Sequence, residues 1–228
     1  MGVILHNANR DLKTILNHED KAIAADRVST HPEAKKQLAA CLMNKARTLM
    51  SAGIRLEQVR KLIQEAEPIV IKFTDHLDYE RYQFTCNAAM FFAMEGEVDA
   101  AQAMMDAADA IVYASPDSDL SVAEHLIEEV APFHMEMGRL DQAADTVIEA
   151  INICGKHLEA LRYRETIFDA YLFLGRIYVM SEDYVKAEEA FNEAEKRVHD
   201  SPYEWKLPLC PEDVREKTKI IRADLPIE

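Results

Sequence analysis

The chain is poor in most of the features that mark a specialised sequence. Six glycines and eight prolines in 228 residues are too few for collagen, flexible low-complexity sequence or a turn-dense sandwich. The four cysteines, Cys41, Cys86, Cys154 and Cys210, stand far apart, which leaves neither a CxxC metal knuckle nor a dense disulfide framework. Reduced, mostly buried thiols are the expectation. No apolar run approaches the roughly 18 to 20 residues that a membrane-spanning helix needs. Met1 to Arg10 also lacks the basic and apolar regions of a signal peptide, so the reading is a cytoplasmic protein without membrane insertion. Positive charge is scarce as well: 26 Lys and Arg against 41 Asp and Glu give a formal charge of −15. Affinity for nucleic acid rests on neutralising phosphates with Lys and Arg, so direct nucleic-acid binding is set aside.

Catalytic signatures are missing too. There is no GxxxxGK[ST], GxGxxG, GxSxG or HExxH, and so no visible support for nucleotide hydrolysis, serine-hydrolase or zinc-protease chemistry. His125, Glu128 and His134 come closest to a metal grouping, but an exposed helix pair explains His125 and Glu128 more simply. Cys154 near His157 suggests a nucleophile with a base, yet residues three apart on a helix touch routinely. No catalytic residue, metal or cofactor is assigned, and the protein is read as a non-enzyme.

What is present is apolar mass and unevenly spread charge. Hydrophobic residues make up 49% and charged residues 29% of the chain, enough for a substantial core. Residues 1 to 60 hold ten Lys and Arg against six Asp and Glu, residues 61 to 160 hold five against twenty, and the remainder eleven against fifteen. An acidic middle attracts a basic partner and repels anionic lipid.

Helical periodicity runs nearly throughout, as in Leu42, Ala46 and Leu49 or Leu174, Ile177 and Tyr178, and sustained strand-like alternation is missing. The fold is therefore predicted to be all-α. Thr30 with Glu33 around Pro32, and Ser121 with Glu124, have the spacing of capping boxes. Gly53, Gly96 and Gly138 each follow a helical stretch, where a left-handed turn residue is wanted. Each is followed by a second amphipathic segment with small residues seven apart: Val59 and Ala66, Ala101 and Ala108, Ala143 and Ala150, then Ala187 and Ala194. Small side chains on one helix face let a neighbouring helix approach closely, so each unit reads as a helical hairpin, repeated every 42 to 44 residues.

The last unit carries the clearest family pattern. Tyr171, Leu174, Gly175 and Tyr178, followed by Ala187, Phe191 and Ala194, resemble the tetratricopeptide repeat (TPR) in identity and spacing. The segments from Gly96 to Ala101 and from Gly138 to Ala143 resemble the same family's turn and second-helix start. Departures are the long period, Val59 at an alanine position, Ala89 and Ala131 for the first-helix glycine, and Glu182 for the turn glycine. HEAT and armadillo units have comparable periods but do not account for the pattern around Gly175 and Ala187.

The resemblance implies a right-handed α-solenoid in a single domain of 228 residues. About four hairpins fill residues 30–199, with an N-terminal capping helix within 1–29 and a C-terminal loop and helix within 200–228. Leu12, Ile15, Leu16 and Ile23 recur at helical intervals in the first cap, while Pro202, Trp205 and Pro208 precede a last helix opened by Pro211. Pro68 and Pro132 fall within the helical pattern, and a kink at Pro132 would widen a groove locally.

In proteins similar to this one, first helices line a concave groove that receives a peptide or partner helix. On that pattern the groove is expected to carry Met43, Arg47 and Met50 from the first unit, and Cys86, Met90 and Met94 from the second. Glu128 and Met135 come from the third, and Asp169, Leu172, Arg176, Val179 and Met180 from the fourth. Six methionines there suit an adaptable apolar groove, although gap filling between imperfectly matched repeats is the preferred reading of them. Met43, Arg47, Cys86 and Met90 stand where chaperone-tail clamps carry Lys and Asn, which argues against that specialisation. The resemblance implies a noncatalytic scaffold or adaptor for a protein or peptide. The alternative is a regulatory sensor like the bacterial TPR peptide receptors, which change conformation on binding ligand. Pairing of two copies through the terminal helices is compatible with either.

Overall fold

The structure is a computed structural model, and it describes residues 4–53, 56–75, 79–114, 119–197 and 210–223. Among the described residues there is no strand. The helices are α1 (Ile4–Val28), α2 (Pro32–Ser51), α3 (Leu56–Phe73), α4 (Tyr79–Met94), α5 (Val98–Ala114), α6 (Asp119–His125), α7 (Ala131–Glu136), α8 (Leu140–Cys154), α9 (Leu161–Met180), α10 (Tyr184–Arg197) and α11 (Glu212–Ala223). A π-helical turn, Leu126–Val130, joins α6 to α7, so the three form one first helix.

The chain divides into two compact units, Met1–Ser115 and Pro116–Glu228. In the first, α2 pairs with α3 and α4 with α5, and the second hairpin packs on the first through α2–α4 and α3–α4 contacts. In the second, the α6–α7 helix pairs with α8 and α9 with α10, and α8 packs on α9.

The small-residue stripe is what allows the pairing. Val59, Ala66, Ala101, Ala108, Ala143, Ala150, Ala187 and Ala194 are all fully buried, so the repeat pattern marks helix-to-helix contact. A second register position recurs through the hairpins. Ala46, Ala89, Ala131 and Gly175 recur on first helices, with Ile63, Met105, Val147 and Phe191 recurring on second helices, and all eight are buried. Gly175 accompanies the largest partner: a Cβ built on it would stand 2.7 Å from the Phe191 ring. Glycine is required there for close approach, because alanine's methyl has no room.

Each hairpin turns through a left-handed residue. Gly53, Gly96 and Gly138 have φ of +64°, +76° and +69°. Glu182 takes the fourth such place with φ +61°, so the substitution of the turn glycine keeps the backbone conformation and stores the strain of a Cβ in it. The bonding is that of a Schellman motif at Gly96, Gly138 and Glu182: Glu97 N–H donates to the Phe92 carbonyl, Arg139 N–H to His134 and Asp183 N–H to Tyr178, at 2.8, 2.8 and 2.9 Å.

Both ends are covered. α1 sets Ile23 into the core of the first unit, with Leu16 packed beside it, while Ile15 points outward. Polar contacts add to its hold on the hairpin: Lys45 pairs with Asp20, Thr48 Oγ1 donates to Glu19 at 2.9 Å, and Arg27 grips Glu65 at 2.7 and 2.8 Å. At the other end Cys210 and Val214 pack on Ala187 and Phe191, and Thr218 Oγ1 donates to the Tyr184 carbonyl at 2.8 Å. Pro202, Trp205 and Pro208 lie outside the described residues.

Two local expectations need correction. The N-cap of α2 is His31, whose Nδ1 accepts from Glu33 N–H at 3.3 Å, because Pro32 occupies the first helical turn and sets the boundary one residue after Thr30. Ser121 lies inside α6, which already includes Asp119. Pro68 sits within α3, in agreement with its place in the helical pattern, where it removes the donor that would face the carbonyl of Gln64.

Candidate binding face

In the first unit, most of the residues assigned to the groove are core. Met43 and Cys86 are each 1% exposed and Met50 is 7% exposed, and Met90 and Met94 pack against the same apolar cluster. Their inward packing follows from the stack itself: α2 touches α1, α3 and α4 at once, so its apolar stripe is wider than one contact needs. Arg47 is exposed, and its Nε donates to Asn87 Oδ1 at 3.1 Å. Asn87 is buried and also donates to the Gln83 carbonyl at 2.8 Å, so a polar clasp ties the two first helices together.

In the second unit, the first helices show their charges. Glu128, Asp169, Arg176 and Met180 are exposed, and Met135, Leu172 and Val179 are half-buried, packed against the cores of their hairpins. Glu128 and Asp169 meet across a small cleft of about 60 Å³ between the π turn and α9, which Glu124, Ile127, Arg162, Glu165 and Thr166 complete. Arg162 donates twice to Glu124 Oε1, at 2.9 and 2.7 Å, and Glu128, Glu165 and Asp169 form an acidic rim beside that pair. Loss of water around the Asp169 carboxyl, with Glu165 beside it, raises its pKa above the usual aspartate value, against the pull of Arg162 and Arg176.

The π turn decides which residues reach that cleft. Pro132 has no N–H to donate to the Glu128 carbonyl, and Ala131 N–H reaches back to Leu126 instead, inserting an extra residue into the turn. Glu129 and Val130 consequently face inward and Glu128 outward. The sequence reading missed Asn87, Glu124, Arg162 and Glu165. For the last two the available signal was helical spacing: Arg162, Glu165 and Asp169 share one face of α9, which begins well before the Tyr171–Tyr178 pattern that marked the repeat.

Of the residues weighed for chemistry, Cys154 and His125 are buried, so His125 is not the exposed partner of Glu128 that its helical spacing implied. All four cysteines are buried and unbonded to one another. Burial, with Glu124 and Asp119 nearby, pushes the Cys154 thiol up to about 11, so it stays protonated and unreactive at neutral pH. His157 Nε2 lies 2.8 Å from Asp119 Oδ2, and its ring stacks on Tyr163 at 4.7 Å between centroids. Among the described residues no three His, Cys, Asp or Glu side chains group as a metal shell, and no helix is long and apolar enough to cross a membrane.

This is a TPR-like repeat fold, all-α and built from stacked hairpins. Two crystal structures of a Podosopora anserina chain described as a kinesin light chain with nearly identical TPR-like repeats are similar to it. One is a glutamine-to-methionine variant at 18% identity, with a TM-score of 0.57 over 83% of this chain and 88% of that one. The other has 16% identity and a TM-score of 0.56 over 86% and 91%. No family model matches the chain, and no curated protein does so either.

Proposed function

We propose that this protein is a noncatalytic, cytoplasmic scaffold that binds a protein or peptide segment through its first-helix faces, its two units acting as one domain. The observation that carries this is the acidic rim of Glu128, Glu165 and Asp169 in the second unit. These side chains project from helices whose opposite faces already supply the core. Grouping like charges costs stability, and a basic segment of a partner relieves that repulsion on docking. Arg176 and Met180, further along α9, extend the face with a cation and an apolar contact. The fold supports the same reading, since stacked hairpins present preorganised surface and bind without ordering a loop.

A sensor that changes conformation on binding is the second reading. The π turn Leu126–Val130 within the first helix of the third hairpin favours it, because such turns interrupt the regular ladder where a helix flexes. The two readings separate by small-angle scattering: a sensor changes radius of gyration with ligand, a scaffold does not.

The test of the site is affinity capture from the native cell with the wild-type chain and with Glu128→Lys/Asp169→Lys, followed by calorimetry on the captured partner. The double variant is expected to lose partners by about tenfold or more in affinity. Retention of the same partners at the same level removes the face from the reading.

A further inference from the structure

The first unit carries an apolar trough on a different surface, away from the first-helix faces. It runs between α3 and α5, with the start of α4 as its floor, and encloses about 430 Å³, a volume within the range of ligand-binding clefts. Its walls are apolar: Ile71 from α3 and Ala107, Ala110 and Ile111 from α5, over Phe84. Ile71, on the trough wall, is 62% exposed. Large apolar side chains left open beside a preformed trough mark an interaction surface. From Met104 to Ala114 the trough follows α5 for about 15 Å, which matches three turns of a docked helix.

Charge selects the occupant. α5 carries Asp99, Asp106 and Asp109 and no Lys or Arg. Asp106 shares the exposed stripe with Ala107 and Ala110, and Glu67 lines the facing wall on α3. Both rims therefore present carboxylates beside an apolar floor, with Arg81 the one cation among the lining residues. We infer that this trough is a docking site for a basic amphipathic helix of a partner protein, whose apolar stripe fills the space between Ile71 and Ile111 while its flanking Lys or Arg pair with Glu67 and Asp106. Helix-in-groove recognition of this kind reads apolar anchors three and four residues apart. The trough belongs to the first unit and does not rest on the function proposed for the second.

The probe is a synthetic amphipathic helix of roughly 18 residues built from Leu and Lys, labelled for fluorescence anisotropy, with its Leu and Glu counterpart as control. Wild type is expected to bind the Lys peptide at least about tenfold tighter than the Glu peptide. The decisive variants are Ala110→Glu and Ile71→Glu, each at an exposed position and each checked for an unchanged circular-dichroism spectrum. Both add negative charge, so diffuse attraction predicts equal or tighter binding of the Lys peptide, and that result overturns the proposal. Docking in the trough predicts weakening of about tenfold or more, measured in the Glu128→Lys/Asp169→Lys background so that the acidic rim does not contribute. Loss of binding in Glu128→Lys/Asp169→Lys alone places the peptide on the second unit and also overturns it. A dimer in size-exclusion chromatography that Ala110→Glu dissociates assigns the trough to a second copy instead of a partner helix, which overturns it too.

Discussion

The two units use matching repeat positions in opposite ways. Met43 and Cys86, one repeat apart in the first unit, are sealed in its core; Glu128 and Leu172 follow at the same spacing in the second unit, exposed and half-buried. The first unit therefore puts its first-helix side chains into stability and leaves a trough beside its second helices. The second unit turns charge outward on its first helices and holds its hairpins with Gly175 against Phe191. One repeat frame thus yields two surfaces, because a single extra residue in the π turn and a single glycine are enough to rotate or tighten a helix locally.

The comparison breaks most sharply at the methionines. Met43→Ala is expected to cost about 2 to 4 kcal/mol in urea unfolding, the range for emptying a packed core site, whereas Met180→Ala, on an exposed position, changes stability by less than about 0.5 kcal/mol. Equal small effects would return Met43 to a binding surface. Next in size is the tight crossing in the second unit. Gly175→Ala is expected to cost about 1 to 3 kcal/mol through overpacking against Phe191, and Phe191→Val in the same chain should recover part of that loss, giving a coupling above about 0.5 kcal/mol. Additive effects would show that the two helices adjust independently.

The turn residues give a smaller and opposite pair of shifts. Glu182→Gly relieves a left-handed residue and is expected to stabilise by about 1 kcal/mol, while Gly138→Ala, at φ +69°, should destabilise by about the same amount. Differential scanning calorimetry reads both signs. The smallest effect is electrostatic. Asp169 binds its proton more tightly when folded, so its contribution favours the folded state at low pH and is lost as pH rises from the ordinary aspartate value of 3.8 through the raised one. Asp169→Asn is therefore expected to be slightly more stable than wild type at pH 7 and indistinguishable from it well below that window, by less than about 0.5 kcal/mol at this solvent-exposed site. A loss of stability at pH 7 instead would show that Arg162 and Arg176 stabilise the Asp169 carboxylate.

Much of the fold was legible in the chain, and the reason is local. Left-handed turns need glycine, close helix contacts need alanine, and both requirements recur at the repeat interval, so Gly53, Gly96, Gly138 and the paired alanines announced the hairpins. Even the departures were informative: Glu182 marked the fourth turn, and Val59 stands fully buried at its alanine position. The binding face was only partly legible. Glu128 and Asp169 do meet at one cleft, but Arg162 and Glu165 were hidden because the family pattern began at Tyr171, nearly three turns after α9 does. Met43, Met50 and Cys86 went to the core because a helix in a stack has neighbours on several sides, and a 3.6-residue period does not say how many of its faces are covered.

The sequence by itself determined the all-helical class, the hairpin interval and the residues at each turn and close contact, since these depend on backbone conformation and on side-chain size within a few positions. Tertiary structure alone decided which first-helix residues face water, where the acidic rim closes and that an apolar trough lies between α3 and α5. Those outcomes depend on how helices distant in the chain are rotated against one another, and that rotation is set by packing volume summed over both partners.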